Sequence, residues 1–196
     1  MYFSQPFGGL IPGARGAVLA VLLRTGEPLT GRQIHGVVRD EHSLWSVQEA
    51  LKTLTGLGLV ESRTVGRAGV HEINEAHASI VPLRALVDPM AALRAAVAEV
   101  VGSDVEAVLV FGSIARGEAT EASDVDLAVI ARADWQGRVE LEDVVRARLG
   151  NECDVLVFTL AEFAERALEG EPVVADILRD GVALVGSKPK VSKGAA

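Results

Sequence analysis

Asp124 and Asp126, one residue apart, open the apolar run D-L-A-V-I, and ten residues separate Asp124 from Ser113 in the upstream segment F-G-S-I. In an extended strand, residues i and i+2 project to the same face, so this spacing brings two carboxylates to one spot. The apolar strand V-L-V-F ends directly at Gly112-Ser113. Glycine there admits close backbone approach. The turn into a helix start presents N–H groups and the Ser113 hydroxyl as a seat for an anion. Converging hard oxygens beside a phosphate seat suit Mg2+ carrying a nucleoside triphosphate, and Mn2+ accepts the same donors.

Two-metal chemistry, or proton removal from an acceptor hydroxyl, asks for a third acid. Asp154 in N-E-C-D-V-L-V-F is the candidate. Strand alternation places it with Leu156 and Phe158 on one face, and Cys153, Val155 and Val157 on the other. An acid among apolar neighbours calls for an explanation. Cys153 is the only cysteine, so it founds neither an internal disulfide nor a thiolate cluster and is expected as a small buried filler.

Stepping out from these residues, a helix over V-E-L-E-D-V-V-R-A-R-L must carry the chain from the strand after Asp126 to the strand holding Asp154. Thr159 with Glu162 forms a capping box, Pro172 suits a first helical turn, and Asp180-Gly181 closes that helix before V-A-L-V. The segment G-S-I-A-R-G-E-A-T-E-A-S-D-V-D-L resembles the signature of the minimal nucleotidyltransferases of the DNA polymerase β superfamily, antitoxin members included, and the likeness runs over about residues 88–186. The resemblance implies an α/β fold with a mixed β-sheet flanked by helices. It implies that Gly112 and Ser113 bind phosphates, that Asp124 and Asp126 hold Mg2+, and that Asp154 completes the metal site and assists the acceptor. For Arg116 it leaves two roles open: contacting the triphosphate, or holding the loop through Glu118.

The upstream half has a different character. Residues 1–85 hold eight Lys/Arg against seven Asp/Glu, and the remainder holds eleven against twenty, so the overall charge of −8 describes neither part. Such asymmetry is a prior for two domains with different partners. Pro82 and Pro89 mark the join. The expected division is 1–85, 86–187 and a polar tail over 188–196. In the first part, an apolar helix stops at Thr25-Gly26. Thr30 and Gln33 set a capping box for a short helix over Arg32–Val38 that buries Ile34, Val37 and Val38. Ser43 caps a third helix with Leu44, Val47, Leu51 and Leu54 on one stripe, and a hairpin follows with its turn at Gly66–Gly69.

That order, over residues 12–78, resembles the α+β winged helix-turn-helix of MarR-like bacterial regulators. The resemblance implies DNA or partner contact; on DNA, Gln48 and Lys52 would face bases and Arg63 and Arg67 would meet phosphates, and Trp45 is left open between packing, the favoured role, and facing bases. It also implies a homodimer, to which the Pro6–Pro12 arm and the 90–101 helix would contribute.

A hydrophobic content of 49% with 23% charged residues excludes a disordered chain. No run is long enough to span a bilayer, and the single cysteine suits a reducing compartment, so a cytoplasmic protein is expected. The functional expectation is transfer of an NMP group from Mg-bound NTP to a hydroxyl of a protein or small molecule, with a toxin partner in trans as one acceptor. The alternative is a DNA-binding regulator or antitoxin whose second domain senses nucleotide without turnover.

Overall fold

Four valine- and leucine-rich runs, each carrying at most one acid, explain the larger sheet. The computed structural model describes residues 1–190, and its contacts divide into two compact units, Gln5–Pro89 and a second formed by Met90 onward together with Met1–Ser4. Much of the tail expected over 188–196 lies outside the described residues.

In the N-terminal unit, α1 (Gly13–Thr25) is apolar almost all round and supplies the centre of the core, and α2 (Gly31–Val38) and α3 (Leu44–Gly56) complete the helices around it. Gly26 ends α1 in the left-handed conformation, φ 66°. Thr30 and Gln33 form the expected capping box at α2, and the Ser43 side chain caps α3. Strands β1 (Leu29–Thr30), β2 (Val60–Val65) and β3 (Ala68–Ile73) make an antiparallel sheet in the order β1-β3-β2. A last helix, α4 (Ile80–Leu86), holds Pro82 in its first turn, where the missing N–H has no helical partner to lose.

Two local expectations are corrected. Val37 is 65% exposed and Trp45 72% exposed. On α2 the inward position is Ile34, and Val37, three residues on, falls at the rim while Val38 touches the core. On α3 the inward stripe is Val47, Ala50, Leu51 and Leu54, and Trp45, two residues before Val47, lies about 200° round the helix from it. In the Pro6–Pro12 arm, Pro6–Gly9 is a 3-10 turn whose Phe7 is buried in the core of its own unit, while Leu10 is exposed.

In the C-terminal unit, α5 (Pro89–Val100) leads to β4 (Val105–Phe111), the single turn α6 (Gly112–Ala115) and β5 (Val125–Ala131). Helix α7 (Arg138–Leu149) crosses to β6 (Cys153–Phe158), and α8 (Leu160–Glu169) and α9 (Pro172–Asp180) precede β7 (Val182–Val185). The sheet order is β6-β5-β4-β7, with β5 and β6 parallel and the other pairs antiparallel. A parallel neighbour requires a crossover, which α7 provides.

The sheet is buried on both faces, which is why β4 and β5 are apolar apart from Glu106 and Asp126. Leu93 and Val97 of α5 and Leu141 and Val145 of α7 pack with Leu127, Val129 and Val155 on one face. Phe163, Val174 and Ile177 of α8 and α9 pack with Leu109, Ala128 and Ile130 on the other. Each such fully buried side chain contributes about 1.5–3 kcal/mol of transfer free energy. The 90–101 helix thus turns Leu93 and Val97 into the core of its own unit.

Candidate active site

Asp126 is the polar residue of β5, and pairing places it opposite two neighbours at once: Phe111, the last residue of β4, and Asp154, the second residue of β6. Parallel register makes Asp126 and Asp154 equivalent positions on adjacent strands, so both belong to the face that carries Ala128, Ile130, Leu156 and Phe158 further along. Asp154 is exposed at the strand's opening and its apolar partners lie deeper. Asp124 stands two residues ahead of Asp126, just outside the strand.

Gly112 follows Phe111 with φ 68°, and a Cβ built there would collide with Oδ2 of Asp126. The absent side chain is therefore the space that the carboxylate occupies. Two constraints converge on glycine: the left-handed backbone and the packed acid. This contact joins the G-S turn to the aspartate pair, which the ten-residue spacing alone did not establish.

Burial pushes the Asp126 carboxyl above its ordinary range, and the negative charges of Asp154 and Asp124 push it the same way, while Arg116 opposes them. The three acids therefore share one electrostatic environment. Their side chains do not form a closed cage: no group of three His, Cys, Asp or Glu drawn together for a metal occurs among the described residues. The donor chemistry nevertheless fits a hard divalent cation, since its charge would offset the repulsion that Asp126 experiences.

Arg116 donates to Oε2 of Glu118 at 2.8 Å, the loop-holding arrangement, and its acidity is weakened further by Asp180 and Asp176 of α9. Ser113 follows Gly112 in the turn, and its carbonyl accepts the Glu118 N–H. Burial pushes the Cys153 thiol up to about 12, so it remains protonated and unreactive at neutral pH.

In the N-terminal unit, Gln48, Lys52 and Arg67 line one concavity of about 680 Å3 between α2, α3 and the hairpin. Sequence reasoning missed Arg32, Thr55, Ser62 and His71, which share that lining. Ser62 and His71 are cross-strand partners, and their side chains meet at 2.7 Å. Hairpin alternation was the available signal for both. Arg63 points elsewhere: it lies one residue off Ser62 in β2 and is ion-paired with Glu72 at 3.1 Å.

Residues 98–179 match the family model described as polymerase beta, nucleotidyltransferase. Over this stretch the C-terminal unit is similar to the polymerase beta nucleotidyltransferases. The matched segment covers less than half the chain and, within the C-terminal unit, includes β4, the Gly112 turn, β5 and β6.

Several solved structures are similar over parts of the chain. One describes the DNA recognition and protein interaction domains of HOP2, with 25% identity over 32% of this chain and 100% of that one, at a TM-score of 0.30. Another is a toxin-antitoxin with AMP-PNP, with 17% identity, 51% and 75% coverage and a TM-score of 0.39. A third is a mutant of the toxin-antitoxin MntA-HpeT, with 15% identity, 48% and 70% coverage and a TM-score of 0.35. No curated protein matches the sequence.

Proposed function

We propose that the chain transfers an NMP group from a divalent-metal-bound NTP to a hydroxyl acceptor. The observation that carries this reading is the packing of the Asp126 carboxylate into the space left by Gly112, with Asp154 in register beside it. Asp124, Asp126 and Asp154 would hold Mg2+, and Gly112 and Ser113 would hold the triphosphate. The metal, when bound, would stabilise charge on the attacking and leaving oxygens.

The chain's own residues then have separate tasks. The Gly112 turn lets the backbone approach the phosphates without side-chain interference. Asp154, the most exposed of the two in-register acids, accepts the proton as the acceptor oxygen bonds to the α-phosphorus and pyrophosphate leaves. Arg116 is held by Glu118 at the loop and lowers the negative potential near Asp126.

The N-terminal unit is proposed as a winged helix-turn-helix that binds DNA through the concavity lined by Gln48, Lys52, Arg67 and Arg32. Its support is three cations from three separate elements around one hollow, a pattern suited to phosphates. The acceptor proposed for the enzyme includes a partner protein in trans, and the assembly proposed for the regulator is a homodimer in the cytoplasm.

The test is incubation with labelled NTPs, Mg2+ and cell extract, comparing the protein with Asp124→Ala and Asp126→Ala. Label transferred by the wild type and lost in both variants is the expected result. Mg·NTP binding without transfer would replace the enzyme with a nucleotide sensor.

A further inference from the structure

Asn151 is the buried polar residue among the described side chains, 5% exposed, and it has no part in the chemistry above. Its amide Nδ2 donates to the carbonyl of Ser123 at 3.0 Å and to the carbonyl of Met1 at 3.0 Å. Its Oδ1 accepts from the amino group of Met1, which also donates to the Leu149 carbonyl. A buried amide is tolerated when its donors and acceptor are satisfied, and here they are satisfied by two segments remote in sequence.

The location of those bonds is informative. Ser123 immediately precedes Asp124, and Asn151 lies three residues before Asp154. A single side chain thus ties the approach of one proposed ligand to the approach of another. The next link in the backbone agrees, since the Val125 N–H donates to the Glu152 carbonyl at 2.8 Å.

The loop between the Gly112 turn and Asp124 is held at a second place. Ser4 Oγ lies 2.8 Å from the Ala119 carbonyl and 3.2 Å from that of Gly117. Phe3 packs on the core beside it, and Ala119 is buried there. Inside the loop, the Thr120 N–H donates to Ser123 Oγ at 2.8 Å. Loops carrying ligands need such support, because a carboxylate displaced by about 1 Å forfeits much of its function.

We propose that Asn151 and the Met1–Ser4 segment are positioning elements for the 117–124 loop, fixing Asp124 relative to Asp126 and Asp154. This rests on the proposed carboxylate site. Neither Asn151 nor Ser4 touches substrate or metal, and each acts through the loop backbone.

The experiment uses the full chain without metal and measures hydrogen exchange in wild type, Ser4→Ala and Asn151→Ala, with Ser4→Thr as the variant that keeps the hydroxyl. Losing one hydrogen bond to the loop should raise exchange over 117–125 about fivefold in Ser4→Ala, more in Asn151→Ala, and not in Ser4→Thr. The β4 and β5 interior should be unchanged in the Ser4 variants. Because this readout needs neither nucleotide nor transfer, it succeeds or fails independently of the enzymatic reading. In parallel, the Mg2+ concentration for half-maximal ATP binding should rise in Ser4→Ala and return to the wild-type value in Ser4→Thr. Unchanged exchange over 117–125 in both alanine variants would overturn the proposal, as would a uniform rise across the whole sheet in Ser4→Ala.

Discussion

The two units concentrate opposite charges by different structural means. In the C-terminal unit, the acids are fixed by strand register: Asp126 faces Asp154 across a parallel pair, and Gly112 gives up its side chain to make room. In the N-terminal unit, Arg32, Lys52 and Arg67 come from a helix start, a helix face and a hairpin turn, and they surround a hollow without touching one another's backbone ladders. A site built on register tolerates little displacement. One built from exposed cations around a groove should lose affinity in increments, and substitutions can distinguish the two cases.

The largest effect should come from the rigid site. Gly112→Ala forces a methyl group into the Asp126 carboxylate and leaves a non-glycine residue at φ 68°, costing about 1–2 kcal/mol from the backbone alone. With Asp126→Ala, it should lower label transfer at least about 100-fold, as loss of a ligand is no milder than loss of its supporting shell. Transfer assays and denaturant midpoints measure the two parts.

The groove should respond more gently. Lys52→Ala and Arg67→Ala should each weaken DNA binding and reduce the slope of log affinity against log salt by about one, as read by titration at several salt concentrations. An abrupt, complete loss from either single substitution would erase the contrast between the units.

A smaller effect concerns pH. Burial lowers the His71 pKa below its ordinary value, so the folded unit resists a proton that the unfolded chain accepts. Stability should fall as pH drops below about 6.5 and level off beneath the folded value. His71→Gln should flatten that dependence in hydrogen exchange of β3. The smallest effect is expected for Arg63→Ala: an exposed pair with Glu72 outside the groove contributes about 0–1 kcal/mol, and DNA affinity should stay near the wild-type value.

Much of the rigid site was legible because strand periodicity is exact enough to assign faces. The alternation around Asp154 and around Asp126 translates directly into side-chain direction, whereas Asp124 lies just ahead of β5 and outside that periodicity. The capping boxes at Thr30 and Thr159 were legible for a similar reason, as both partners lie within four residues. What sequence could not convey depended on distant partners. Nothing local indicates that Asp126 fills the space beside Gly112, that Asn151 reaches Ser123, or that Ser4 meets Ala119.

In the N-terminal unit the losses were of another kind. Trp45 and Val37 are apolar residues left on the surface, where residue type is a poor guide and the position on the helix decides. The wing places Arg63 and Arg67 close in sequence, and strand alternation within β2 pairs Arg63 with Glu72, a partner that no local pattern names.

Support of nucleotidyl transfer by Asp124 and Asp126 is tested by transfer of label from an α-labelled NTP with Mg2+ and cell extract, in the wild type and in Asp124→Ala and Asp126→Ala. Labelled product from the wild type alone is the predicted result, and equal labelling by all three proteins, or none from a wild type that binds Mg·NTP, would contradict it.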